Sequence, residues 1–125
     1  MGRLMRSKLL YERDIIIIDA FSALIKNDID MERAIHALSF FKKLAGMGKT
    51  IILTIEAGDL DEGIIAPFKS DSDVFIDIKM RTLEGSTTRT LVVNRYSASA
   101  GPIIEATGFR IEPKVGFIID ITTVA

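Results

Sequence analysis

Residues Asp14 to Asp19 set four consecutive isoleucines between two aspartates. Four β-branched residues in a row predict a strand buried on both faces, as in a parallel sheet covered by helices. Upstream, Arg3 to Tyr11 places Leu4, Leu9 and Leu10 among basic residues and predicts a short amphipathic helix leading into that strand. Asp30 is a candidate N-cap for a helix over Met31 to Met47, where Ala34, Leu38, Phe41 and Ala45 recur at helical spacing and Arg33, Lys42 and Lys43 fall elsewhere. Gly46 and Gly48 supply its stop. Thr50 to Ile55 is a second near-continuous apolar strand, so strand, helix and strand form one right-handed βαβ unit with parallel pairing.

The pattern then changes. Leu60 to Ser70 predicts a short helix that Gly63 and Pro67 make irregular. Val74 to Met80 and Arg89 to Tyr96 are strands flanking a turn near Glu84-Gly85-Ser86, the spacing of a β-hairpin. A second hairpin is expected from Ile103 to Glu112 and Gly116 to Val124, around Pro113-Lys114. The predicted class is α/β: parallel strands with helices, followed by antiparallel β-hairpins. No repeat, low-complexity tract or linker divides the chain, and a single domain over residues 1–125 is expected.

Composition narrows the function. A chain of 125 residues with 48% hydrophobic content can bury one core. Its 16 basic and 17 acidic residues leave no net field to attract nucleic acid or anionic lipid. The absence of cysteine removes disulfides, thiolate metal sites and thiol catalysis, and a single histidine argues against zinc. The longest apolar run is far shorter than a membrane span, and the N-terminal apolar pair Leu9-Leu10 is too short for a signal-peptide core, so a cytoplasmic protein without direct membrane insertion is expected.

Four residues are candidates for chemistry. Asp19 ends an apolar strand, and ligands of open α/β sheets collect at the carboxyl ends of strands. A carboxylate there suits Mg²⁺, held directly or through water as Walker-B aspartates hold it; the alternative is a cap of the following turn. Thr54 and Glu56 close the neighbouring strand, where either can orient a water or sense a phosphate; for Glu56 the ordinary reading is a solvated loop carboxylate. Arg95, in Leu91 to Tyr96, is a rim arginine able to reach a phosphate on a neighbouring subunit, or an edge charge that discourages aggregation.

Two tempting features are set aside. Gly48-Lys49-Thr50 matches the tail of G-x-x-x-x-G-K-[ST], but the leading glycine would fall on Lys43, and the tripeptide joins a helix to a strand where a phosphate loop joins a strand to a helix. His36 shares its helix face with Phe40 and Lys43, outside the apolar stripe, and is expected at the surface without a catalytic partner.

Taken together, DIIIIDAFS (Asp14 to Ser22), LSFFKKLAGMGKTIILTIE (Leu38 to Glu56), RTLVVNRY (Arg89 to Tyr96), GFRIEPKVG (Gly108 to Gly116) and IDITTVA (Ile119 to Ala125) resemble the second half of KaiC-like ATPases of the RecA superfamily. Among these they look like the accessory ATP-binding proteins of the archaeal flagellum (archaellum). The resemblance implies a RecA-like, P-loop NTPase-type half core with Asp19 as the Walker-B aspartate. It implies a cytoplasmic nucleotide-binding protein that docks as an accessory subunit on the archaellum motor ATPase or another KaiC-like subunit, forms homo-oligomers and lies peripheral to the membrane through the motor complex; lacking the phosphate loop, this chain is expected to be a non-catalytic module. Arg95 looks like the first basic residue of the K-x-R pair that reaches a neighbour's nucleotide; the second falls on Ser97.

On the same resemblance the phosphate loop and the strand bearing the catalytic glutamate should precede Met1, so ATP and Mg²⁺ are expected only where that loop is supplied elsewhere. The chain is then either a fragment of a longer protein or a short gene product that kept the scaffold. The alternative function is an ATP-hydrolysing subunit completed by another chain or by a missing N-terminal half.

Overall fold

The computed structural model describes residues 2–27, 30–98 and 105–120. Positions 103–104 and 121–125 therefore lie outside the described residues, and with them the outer ends of the second predicted hairpin and most of the IDITTVA tail. Backbone contacts divide the chain into two compact units, Met1–Ser70 and Asp71–Ala125.

The first unit opens with two short helices, α1 (Gly2–Met5) and α2 (Leu9–Glu12), where one was expected. Ser7 donates its N–H to the Leu4 carbonyl and accepts from Leu10 N–H, so a turn separates the leucines. Serine competes with helical geometry through such local bonding. β1 (Ile15–Ile18) follows and pairs in parallel with β2 (Thr50–Leu53), in the register Ile15↔Thr50 to Ile18↔Leu53. Between them lie α3 (Phe21–Ile25) and α4 (Met31–Gly46), and α5 (Glu62–Asp71) follows β2.

α4 begins where Asp30 Oδ1 accepts the N–H of Arg33 at 2.9 Å, a side-chain N-cap. Its buried stripe is Ala34, Ala37, Leu38, Phe41 and Leu44; Ala45, expected in the stripe, is exposed. Leu44 lies three residues beyond Phe41, so the i, i+3, i+4 rhythm reaches the core one residue before Ala45. His36 is exposed, as expected. Pro67 sits inside α5, which tolerates the lost N–H to the Gly63 carbonyl and still buries Phe68.

The core joins Ile16 and Ile18 of β1 to Leu10, Phe21, Ile25, the α4 stripe, Leu60 and Phe68. Phe21, with no exposed surface, is its hub: its ring lies 5.5 Å from Phe41 edge-on and 5.6 Å from Phe68. The expectation that β1 is buried on both faces is corrected here. Ile16 and Ile18 are buried, whereas Ile15 and Ile17 are 63% and 64% exposed, because the described helices cover one side of the strand.

The second unit is one antiparallel sheet of order β3-β4-β5-β6, from β3 (Val74–Leu83), β4 (Ser86–Tyr96), β5 (Glu105–Glu112) and β6 (Gly116–Asp120). The strands expected to extend the parallel sheet pair among themselves. The first hairpin closes on Glu84-Gly85, both at positive φ (51° and 75°), which lets the strands run to the turn and lengthens both beyond the predicted spans. The second turns through Lys114 (φ 69°) and Gly116 (φ 91°). Phe109, the buried hydrophobic side chain among the described residues of this unit, stacks on Phe117 with centroids 4.8 Å apart.

Candidate strand-end site

The carboxyl ends of β1 and β2 are brought side by side by their parallel register. Thr54 N donates to the Ile18 carbonyl at 3.2 Å, and the Thr54 carbonyl accepts Phe21 N–H at 2.8 Å, so the chain beyond each strand stays clamped to the other. This clamp places Thr54 Oγ1 2.5 Å from Asp19 Oδ1, to which it donates. The Asp19–Ala20 peptide is cis. Asp19 and Thr54 are both exposed, and the pair offers a carboxylate and a hydroxyl to solvent at the end of the sheet. All its atoms of interest are oxygens, the donors Mg²⁺ takes; one carboxylate is enough when water and phosphate complete the shell. The residues present therefore fit such an ion.

Glu56 follows on the same segment. Its N–H donates to Ser22 Oγ at 2.9 Å, while its exposed carboxylate makes no hydrogen bond or ion pair among the described residues. Ser22 in turn donates to Asp59 Oδ2 at 3.0 Å, and Asp59 pairs with Lys26 at 3.6 Å. Ser22 is wholly buried, its hydroxyl both donating and accepting, so this polar group in an apolar helix costs no unmet hydrogen bond. Sequence reasoning missed Ser22 and Asp59. The signal available was a serine inside the otherwise apolar Phe21–Ile25 run.

Arg95 belongs to the second unit, exposed near the end of β4, opposite Phe75 where the β3–β4 register shifts. Its Nε donates to the Ser72 carbonyl at 2.5 Å. Ser97, at the second position of the K-x-R pattern, bonds to the backbone and side chain of Asp73. Lys49 of the rejected Gly48-Lys49-Thr50 donates to the carbonyls of Tyr11 (2.8 Å) and Arg13 (2.6 Å), and Gly48 (φ 85°) ends α4 as β2 begins. That lysine is committed to the chain leading into β1, at the end of the strand opposite Asp19. Among the described residues no helix is long and apolar enough to cross a membrane.

A parallel strand pair with helices and a following antiparallel sheet make this a mixed α/β protein, and its fold is RecA-like, shared with the flagellar accessory and KaiC-like structures it superposes on. The chain is similar to two curated proteins called archaeal flagellar ATP-binding protein FlaH. It is 29% identical over 125 residues to that of Methanocaldococcus jannaschii, covering all of this chain and 54% of the relative. It is 30% identical over 121 residues to that of Methanococcus voltae, covering 97% and 53%. Among solved structures, the flagellar accessory protein FlaH of M. jannaschii superposes with a TM-score of 0.80 at 27% identity, over 97% of this chain and 54% of that one. A KaiC-like protein of Pyrococcus horikoshii superposes with a TM-score of 0.62 at 20% identity, over 95% and 52%, a likeness of fold. No family model matches. The chain thus spans about half the length of the curated relatives it matches. The resemblance drawn from the residues holds in both sequence and structure.

Proposed function

We propose that these residues form a single-domain portion of a RecA/KaiC-like core that works as an accessory, non-catalytic module of the archaellum, in the cytoplasm, bound to its motor ATPase. Similarity along the whole chain to proteins named archaeal flagellar ATP-binding proteins carries this reading. Within these residues, Lys49 of Gly48-Lys49-Thr50 donates to the Tyr11 and Arg13 carbonyls, and this use of the lysine in folding supports an accessory role for what is present. The test is copurification of the tagged chain with the archaellum motor ATPase. Retention is expected; no retention under conditions where a full-length relative binds would overturn the reading.

The Asp19–Thr54 pair favours a second reading, an ATP-binding or hydrolysing subunit whose phosphate loop comes from another chain or from an N-terminal half. Asp19 would hold Mg²⁺, Thr54 and Glu56 would orient a water or contact a phosphate, and Arg95 would reach a neighbour's nucleotide. Bound Mg²⁺ supplies charge neutralisation for the phosphate oxygens. In a mixture supplying the phosphate loop, Asp19→Asn is expected to abolish Mg²⁺-dependent turnover with the fold intact. Unchanged turnover would sink this reading.

A further inference from the structure

We infer that Ser22 is the positioning residue of the strand-end site: its buried hydroxyl holds the backbone of Glu56, and with it the 54–59 segment, in step with Asp19. The inference rests on the reading of Asp19, Thr54 and Glu56 as an Mg²⁺- and phosphate-facing site.

Three connections make the case. Asp19 and Ser22 are separated by two residues and share the stretch that leaves β1, so whatever fixes Ser22 fixes the approach to Asp19. Ser22 Oγ accepts from Glu56 N and donates to Asp59 Oδ2, clamping both ends of the turn through Gly58 (φ 85°). Asp59 N–H donates to the Glu56 carbonyl at 3.2 Å, and Lys26, at the end of α3 one turn beyond Ser22, pairs with the Asp59 carboxylate. Thr54 is tied to Asp19 directly, whereas Glu56 is tied to that stretch through Ser22. The hydroxyl adds one thing to packing, the register of the segment that carries the free Glu56 carboxylate.

The experiment is a Mn²⁺–ATP titration of the 125-residue chain in a mixture supplying the phosphate loop, read by paramagnetic broadening of the Thr54 and Glu56 amide resonances, with folding monitored by circular dichroism. The native chain should show saturable broadening at both amides that Asp19→Asn removes. Ser22→Ala should weaken Mn²⁺ binding about fivefold, the worth of one hydrogen bond, and shift the balance of broadening away from Glu56 while Thr54 keeps its own. Ser22→Thr, which retains the hydroxyl, should restore the native pattern. Should the position 22 variants fail to fold, Asp59→Ala, which removes the acceptor, carries the test from the partly exposed end of the clamp, with the same expected direction. Native broadening and affinity in folded Ser22→Ala or Asp59→Ala would overturn the inference alone. No Asp19-dependent broadening in the native chain would overturn the site reading and the inference with it.

Discussion

Thr54 donates a hydrogen bond from Oγ1 to Oδ1 of Asp19 at 2.5 Å, joining the two residues that follow β2 and β1. The bond depends on parallel pairing without slippage: a one-residue shift of β2 would turn Thr54 to the other face and leave Asp19 facing solvent alone.

Thr54→Val keeps the shape and removes the donor. The expected loss of stability is small, about 0.5–1 kcal/mol, because both groups are exposed and water replaces the bond. Urea denaturation measures it. Thr54→Ser should be close to native.

Lys49→Met removes the ammonium that bonds the Tyr11 and Arg13 carbonyls. A loss of about 1–2 kcal/mol is expected, since hydrogen bonds to a charged group exceed neutral ones and the site is partly wet. Isothermal calorimetry with Mg²⁺–ATP should be unchanged from native, in contrast with what a phosphate-loop lysine would give.

Phe21→Ala opens a hole between Phe41 and Phe68 in the fully buried centre of the first unit. The expected cost is about 3–5 kcal/mol, a large share of a small domain's stability. Phe21→Leu should lose clearly less, by urea or thermal denaturation.

Asp30→Ala removes the cap of α4 and should cost about 1 kcal/mol. Asp30→Ser should recover most of it.

Ile15, Ile17 and Ile52 share one exposed side of the β1–β2 pair. The expected homo-oligomer would bury such a surface. Sedimentation should show self-association that Ile17→Lys reduces; association unaffected by Ile17→Lys would assign it to another surface.

Local chemistry was enough for several features. The Ile15–Ile18 strand, the Asp30 cap, the helix to Gly46 and the turn at Glu84-Gly85 follow from β-branching, an oxygen acceptor before an apolar rhythm, and glycine's access to positive φ. Apart from α3 and the division of the first helix into α1 and α2, element order was also legible, and with it the exclusion of Gly48-Lys49-Thr50 as a phosphate loop. The wider class rested on the order and spacing of whole segments, which similarity to longer relatives bears out. Each of these is a property of neighbours along the chain.

What only the tertiary structure decided involves residues far apart in sequence. Four identical isoleucines carry no mark of which two are covered; that depends on where α4 and Phe68 pack. The same periodicity admits Leu44 or Ala45 until a core selects one. Ser22, Glu56 and Asp59 are ordinary polar residues in the sequence, 34 and 37 positions apart for the two bonds Ser22 makes. Their meeting depends on the register in which β1 and β2 pair, because hydrogen-bond partners across such a distance are set by that register and not by residue type.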